Sequence, residues 1–149
     1  MLLMINLKGQ GKLVMKDGSY FEGDFKGGEM GKGTKYDSRT GAKLIGNFVD
    51  GQLEGKGTVA SKNSFYEGEL HENMRHGYGE LTETRPNRSY KGQWYMNKRH
   101  GLGEQHYADG AIYDGYWVHD KRQGHGAIKY LDSSYEVRYF FLICLVRLK

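Results

Sequence analysis

The sequence predicts an all-β fold, an elongated single-layer antiparallel meander of tandem hairpins open at both ends, on three observations. A short pattern recurs, and its central glycines Gly23, Gly46, Gly68, Gly92 and Gly115 are 23, 22, 24 and 23 residues apart. A fixed period in that range marks a repeat array. Within each copy, apolar and polar residues alternate with period two, which belongs to strands. Every connection is short, so consecutive strands are antiparallel neighbours.

Each repeat opens with a strand carrying an aromatic, a glycine and a second aromatic on one face. Tyr90, Gly92 and Trp94 share that face, with Lys91 and Gln93 on the other; Tyr66, Gly68 and Leu70 stand likewise opposite Glu67 and Glu69. A turn follows, in which Gly28, Gly51, Asn73, Asn97 and Asp120 form a column of residues that tolerate positive φ. The second strand carries a Gly-x-Gly pair, as in Gly77–Gly79 and Gly101–Gly103. Glycine weakens a strand interior unless another group lies over the backbone, so the rings of the first strand are expected over the glycines of the second. Turns between repeats are expected at Asp17-Gly18, Thr40-Gly41 and Asp109-Gly110, with weaker signals at Lys62-Asn63, Asn87-Arg88 and Asp132-Ser133.

These elements divide the chain into a half-repeat at 6–20 and repeats at 21–43, 44–65, 66–89, 90–112 and 113–134. Tyr135–Tyr139 reads as the start of a sixth first strand with Val137 in the glycine place. The apolar run that follows, Phe140 to Val146, resembles an aggregation-prone segment. Residues 135–149 are read either as the end of a truncated or alternatively spliced array, or as a strand folded back over the last repeat.

A chain of 149 residues fits one domain. Of its formal net charge of +4, two charges come from Arg138, Arg147 and Lys149 set against Glu136. The repeats are therefore nearly neutral, with little long-range attraction for nucleic acid, and no nucleic-acid partner is expected. The single cysteine, Cys144, excludes an internal disulfide framework and fits a reducing compartment. Met1–Ile5 is too short for a signal-peptide core, and the run from Tyr139 to Val146 too short for a membrane span. A cytoplasmic protein is expected.

The pattern Tyr-x-Gly-x-Trp, turn residue, Gly-x-Gly, seen best in Tyr90–Gly103 and Tyr113–Gly126 and more loosely in Phe21–Gly33 and Leu44–Gly57, resembles the MORN repeat (membrane occupation and recognition nexus). The resemblance spans residues 9 to about 135. It implies a hairpin array that binds other proteins, often at the cytoskeleton, in cilia or near membranes, and whose catalytic domains, where relatives have them, are separate.

Sites for chemistry find little support. A dinucleotide fingerprint needs a third glycine and a following helix, but the third position holds Val14, Tyr36, Ala60, Thr82, His106 and Lys129. His76 and His100 fall in equivalent places of adjacent repeats, about 10 Å apart at ordinary strand spacing, too far to share a zinc ion unaided. No Gly-x-Ser-x-Gly elbow is present, and no catalytic residue, metal or cofactor is expected. The expected function is a non-catalytic scaffold that captures a helix or extended peptide along an aromatic face lined by Phe48, Tyr66, Tyr90, Trp94, Tyr113 and Trp117. The alternative is a peripheral module that meets anionic lipid through a row of loop cations, Arg75, Lys98, Arg99, Lys121 and Arg122. Homotypic association through an uncovered end strand or the tail is a third expectation.

Overall fold

The computed structural model describes residues 8–132 and 134–140, so Met1–Ile5 and the apolar tail beyond Phe140 lie outside the described residues. Twelve strands run in sequence order: β1 (Gly9–Val14), β2 (Tyr20–Lys26), β3 (Glu29–Asp37), β4 (Ala42–Val49), β5 (Gln52–Ala60), β6 (Ser64–His71), β7 (Met74–Thr84), β8 (Asn87–Tyr95), β9 (Lys98–His106), β10 (Ile112–Val118), β11 (Lys121–Lys129) and β12 (Tyr135–Phe140). They form one antiparallel sheet in which each strand pairs only with its neighbours in the chain. The fold is the all-β meander that the alternation predicts, with β1 and β12 at its two edges.

The turn column carries more than tolerance of positive φ. Two consecutive residues take that conformation in each of these turns: Glu72 and Asn73 at 49° and 63°, Met96 and Asn97 at 46° and 67°, His119 and Asp120 at 46° and 68°. This is the primed turn whose twist matches a hairpin. The second residue then reaches back to the previous repeat. Asn73 Oδ1 accepts from Leu53 N at 2.7 Å, Asn97 Oδ1 from Arg75 N at 2.9 Å and Asp120 Oδ1 from Arg99 N at 2.9 Å. Each pairing is reciprocated, since Asn73, Asn97 and Asp120 donate their own N–H to the carbonyls of Leu53, Arg75 and Arg99. A chain of clips therefore ties each of the last three of these turns to the hairpin before it. Gly28 and Gly51 supply the backbone conformation at 87° and 75° without a side chain to make the clip.

The two glycines of each pair have different tasks. Gly92 pairs with Gly103 and Trp94 with Arg99, so Gln93 alone stands opposite His100, Gly101 and Leu102. Gly101 takes φ of +64° in this bulge, and the Gln93 side chain caps it by accepting from Leu102 N at 2.9 Å. Gly103 instead lies beneath the Tyr90 ring, where an added Cβ would meet the phenol oxygen at 2.2 Å. Phe21, Tyr66 and Tyr113 cover Gly33, Gly79 and Gly126 in the same way. The expected stacking of ring on glycine is present in these four repeats; in the repeat that begins at Leu44, the Leu53 and Leu70 side chains stand over Gly57 instead. The tryptophans do otherwise: Trp94 and Trp117 donate their indole N–H to the carbonyls of Gly79 and Gly103, both at 3.1 Å.

Two local expectations are corrected. Asn87 and Arg88 lie inside β8, and the turn between β7 and β8 falls on Arg85-Pro86. The sixth first strand is also one residue out of the expected frame. Asp109 and Asp132 make the same side-chain turn, accepting from Ala111 N at 3.0 Å and Ser134 N at 2.9 Å. The ring Tyr113 comes four residues after Asp109, and four after Asp132 comes Glu136. Turn geometry sets hairpin register, so Arg138 faces Gly126 where Gly115 faces Gly103. Val137 consequently lies on the opposite face, 75% exposed, and does not take the glycine place.

Candidate functional site

Single-layer sheets usually leave side chains open, yet all six aromatics expected to line a partner groove are core. Phe48, Tyr66, Tyr90, Trp94, Tyr113 and Trp117 are each at most 4% exposed. The reason is mutual cover. Rings from successive repeats meet edge to face: Tyr66 with Trp94 at 5.7 Å, Tyr90 with Trp94 at 4.9 Å, Tyr90 with Trp117 at 5.6 Å and Tyr113 with Trp117 at 5.1 Å between centroids. The tyrosines fill the interval that keeps the two tryptophans apart. Phe25, Phe21 and Phe48 continue the ladder through the same geometry, and buried Leu53 and Leu70 occupy the stretch between Phe48 and Tyr66. Such contacts are worth about 0.5–1.5 kcal/mol each beyond burial. The phenols are anchored too: Tyr66, Tyr90 and Tyr113 donate to the carbonyls of Glu69, Gln93 and Tyr116 at 2.7, 2.9 and 3.1 Å. Burial pushes the Tyr66 phenol up to about 12 and raises Tyr90 and Tyr113 as well.

The cations expected to meet lipid complete this cover. Arg75 and Arg99 lie over the rings of Trp94 and Trp117, 4.3 and 4.1 Å from the ring centres, and Arg122 lies 4.8 Å from that of Tyr113. Each arginine follows its turn by two residues and folds back over the next ring of the ladder or its own. Arg99 is further held by Asp120 Oδ1 at 2.9 Å and Gln105 Oε1 at 2.7 Å, and Arg122 donates to the Tyr107 phenol at 2.6 Å. Three of the five basic residues are thus packed on the ring face, and only Lys98 and Lys121 are exposed. The row exists in sequence but not as a line of free charges, because a guanidinium stacks on an aromatic better than it stands alone.

The opposite face offers the open surface. Ile45, Lys56, Glu67, Tyr78, Glu80 and Lys91 surround a groove of about 620 Å³ whose floor is bare backbone at Gly46, Gly57, Gly68 and Gly79. A second hollow of about 320 Å³ shares Tyr78 and Lys91 and runs on past Leu102 to Asp114. Tyr78 is 52% and Leu102 65% exposed; Ile45 and Tyr116 project from the same face. Tyr78 and Leu102 are the middle residues of their Gly-x-Gly pairs, where the other repeats place Lys32, Lys56 and His125. That departure was visible in the alternation but was masked by the larger aromatic column.

Histidines gather along the turn edge around Tyr95. His76 and His100 both touch Tyr95, and His100 lies 5.3 Å from His119 between ring centres. Among the described residues, no group of three or more His, Cys, Asp or Glu side chains is placed to hold a metal ion.

Every copy of the pattern thus builds one hairpin, four of the five copies lay a ring over a glycine, and the last three clip to the hairpin before them. The family model of the MORN repeat matches residues 21–38, 45–63, 66–82, 90–112 and 113–134, more than half of the chain. The chain belongs to the MORN-repeat family. MORN repeats are known for interactions with proteins and membranes and are generally non-catalytic. In this MORN array the aromatic signature builds the core, and the glycine-floored face behind it is the more open surface.

Proposed function

We propose that this MORN protein is a non-catalytic scaffold that binds an extended protein segment across the glycine-floored face. The observation that carries the reading is the groove itself, where exposed Tyr78 joins two adjoining hollows, one lined also by Ile45 and the other by Leu102, over bare glycine backbone. An extended segment can lay apolar side chains between these residues, and aromatic anchors of this kind dominate interface energy. This moves the scaffold reading from the ring ladder, which is sealed, to the reverse of the same strands. A cytoplasmic setting is supported by a single cysteine in 149 residues; a place at the cytoskeleton or cilium is supported by the family resemblance.

The test is selection of twelve-residue random peptides on the full chain. Peptides so selected are expected to lose about tenfold or more in affinity against the Tyr78→Ser, Leu102→Ser double variant. They should bind a Lys98→Ala, Lys121→Ala variant unchanged. Both tested pairs are exposed, so folding is little disturbed. Absence of any selected peptide, or equal affinity for the groove variant, contradicts the reading. Flotation on phosphatidylserine vesicles that salt abolishes would instead favour a membrane module.

A further inference from the structure

On the ring face, the repeats do not treat their arginines alike. Each of the three nitrogens of Arg99 donates: its Nε to Asp120 Oδ1, its Nη2 to the Asp120 carbonyl and its Nη1 to Gln105 Oε1. Arg75 is its equivalent one repeat earlier, stacked on Trp94 as Arg99 is on Trp117. Both acceptors have changed around it. Asn97 stands in place of Asp120, so Arg75 meets an amide oxygen and a carbonyl but no carboxylate. Leu81 stands in place of Gln105, each facing the first ring of its own repeat, Tyr66 and Tyr90. Nothing among the described residues accepts from Arg75 Nη1.

The surroundings leave room for an acceptor. A hollow of about 260 Å³ and another of about 350 Å³ are both lined by Arg75, Leu81 and Asn97. The first also contains Arg88 and Arg99, but these charges are already matched by Glu83 and Asp120. One positive charge is therefore left over, half-buried where the two hollows meet. Burial also lowers the pKa of Arg75, which an incoming anion would reverse.

We propose that this junction is a carboxylate-binding site, filled by a Glu or Asp side chain of an extended acidic segment of a partner protein. The carboxylate accepts from Arg75 Nη1, as Gln105 does from Arg99, and a neighbouring side chain of the segment lies against half-buried Leu81. A guanidinium at the floor of a trough suits a side chain that reaches in; a flat lipid surface meets the rim first. This site is independent of the groove on the other face.

The probe is a fluorescein-labelled decapeptide of alternating Thr and Glu, compared with its Thr and Gln counterpart, titrated into the full chain. The Glu peptide is expected to bind about tenfold or more tightly than the Gln peptide, as a hydrogen bond to a charged group implies. In the Leu81→Gln, Asn97→Asp variant, the acceptors of Arg99 are rebuilt around Arg75 with residues the adjacent repeat already accommodates. That variant is expected to fold normally and to lose the preference for Glu, while the Tyr78→Ser, Leu102→Ser variant keeps it. Equal binding of the two peptides, no binding of either, a preference that survives in the rebuilt variant, or binding only to phosphatidylserine vesicles would each overturn the proposal.

Discussion

Gly103→Ala is expected to lower stability by about 3 kcal/mol, which for a chain of this size is a fall of roughly 10 °C in Tm. The added Cβ would sit 2.2 Å from the Tyr90 phenol oxygen and 2.4 Å from the ring carbon that carries it. Neither can move away cheaply. The hydroxyl is bonded to the Gln93 carbonyl at 2.9 Å, and the ring is wedged against Trp94 on one side and Trp117 on the other. One methyl group therefore disturbs three rings and two repeats. The same substitution in a Tyr90→Ala background should cost much less, because the ring it strikes is gone; contacting pairs of this kind are strongly non-additive. Thermal unfolding of the two single variants and the double variant measures the coupling.

Tyr90→Ala itself is expected to cost about 3–5 kcal/mol, a large part of the stability of an ordinary domain. Tyr90 joins two neighbouring tryptophans, so its loss opens a gap between repeats and not only within one. Tyr90→Phe keeps the ring and removes one hydrogen bond, about 1 kcal/mol. The chain already uses Phe21 in the equivalent position, over Gly33, so a repeat can be built there without the phenol. Urea unfolding of the three proteins should therefore rank wild type, Phe and Ala, with the larger step between Phe and Ala. Equal losses for Phe and Ala would mean that the hydroxyl, and not the ring, holds the junction.

Period and alternation were enough to read the strand order, the repeat length and the ring-on-glycine contact, because these are properties of one strand and its partner. The turn column was legible as backbone conformation, but the clip made by Asn73, Asn97 and Asp120 was not, since it joins residues a whole repeat apart. Burial misled for the same reason. Alternation places Tyr90 and Trp94 on one face without showing that rings of neighbouring repeats cover each other, or that Arg75, Arg99 and Arg122 fold over them. Arg75 and Arg99 look identical in the repeat alignment; only their acceptors, Leu81 with Asn97 against Gln105 with Asp120, separate them. The frame of β12 depended on the Asp132 turn, a local signal outweighed by the nearer match of Tyr135 and Tyr139 to the repeat pattern.

The sealed ladder is the claim on which both surfaces rest, and the chain has two tryptophans, Trp94 and Trp117, both within it. Acrylamide quenching of their fluorescence in the folded protein tests it directly. The predicted result is blue-shifted emission with quenching far weaker than in the urea-unfolded chain, unchanged when a groove-binding peptide is added. Quenching in the folded protein as strong as in the unfolded chain would contradict the account and return the aromatic column to the surface.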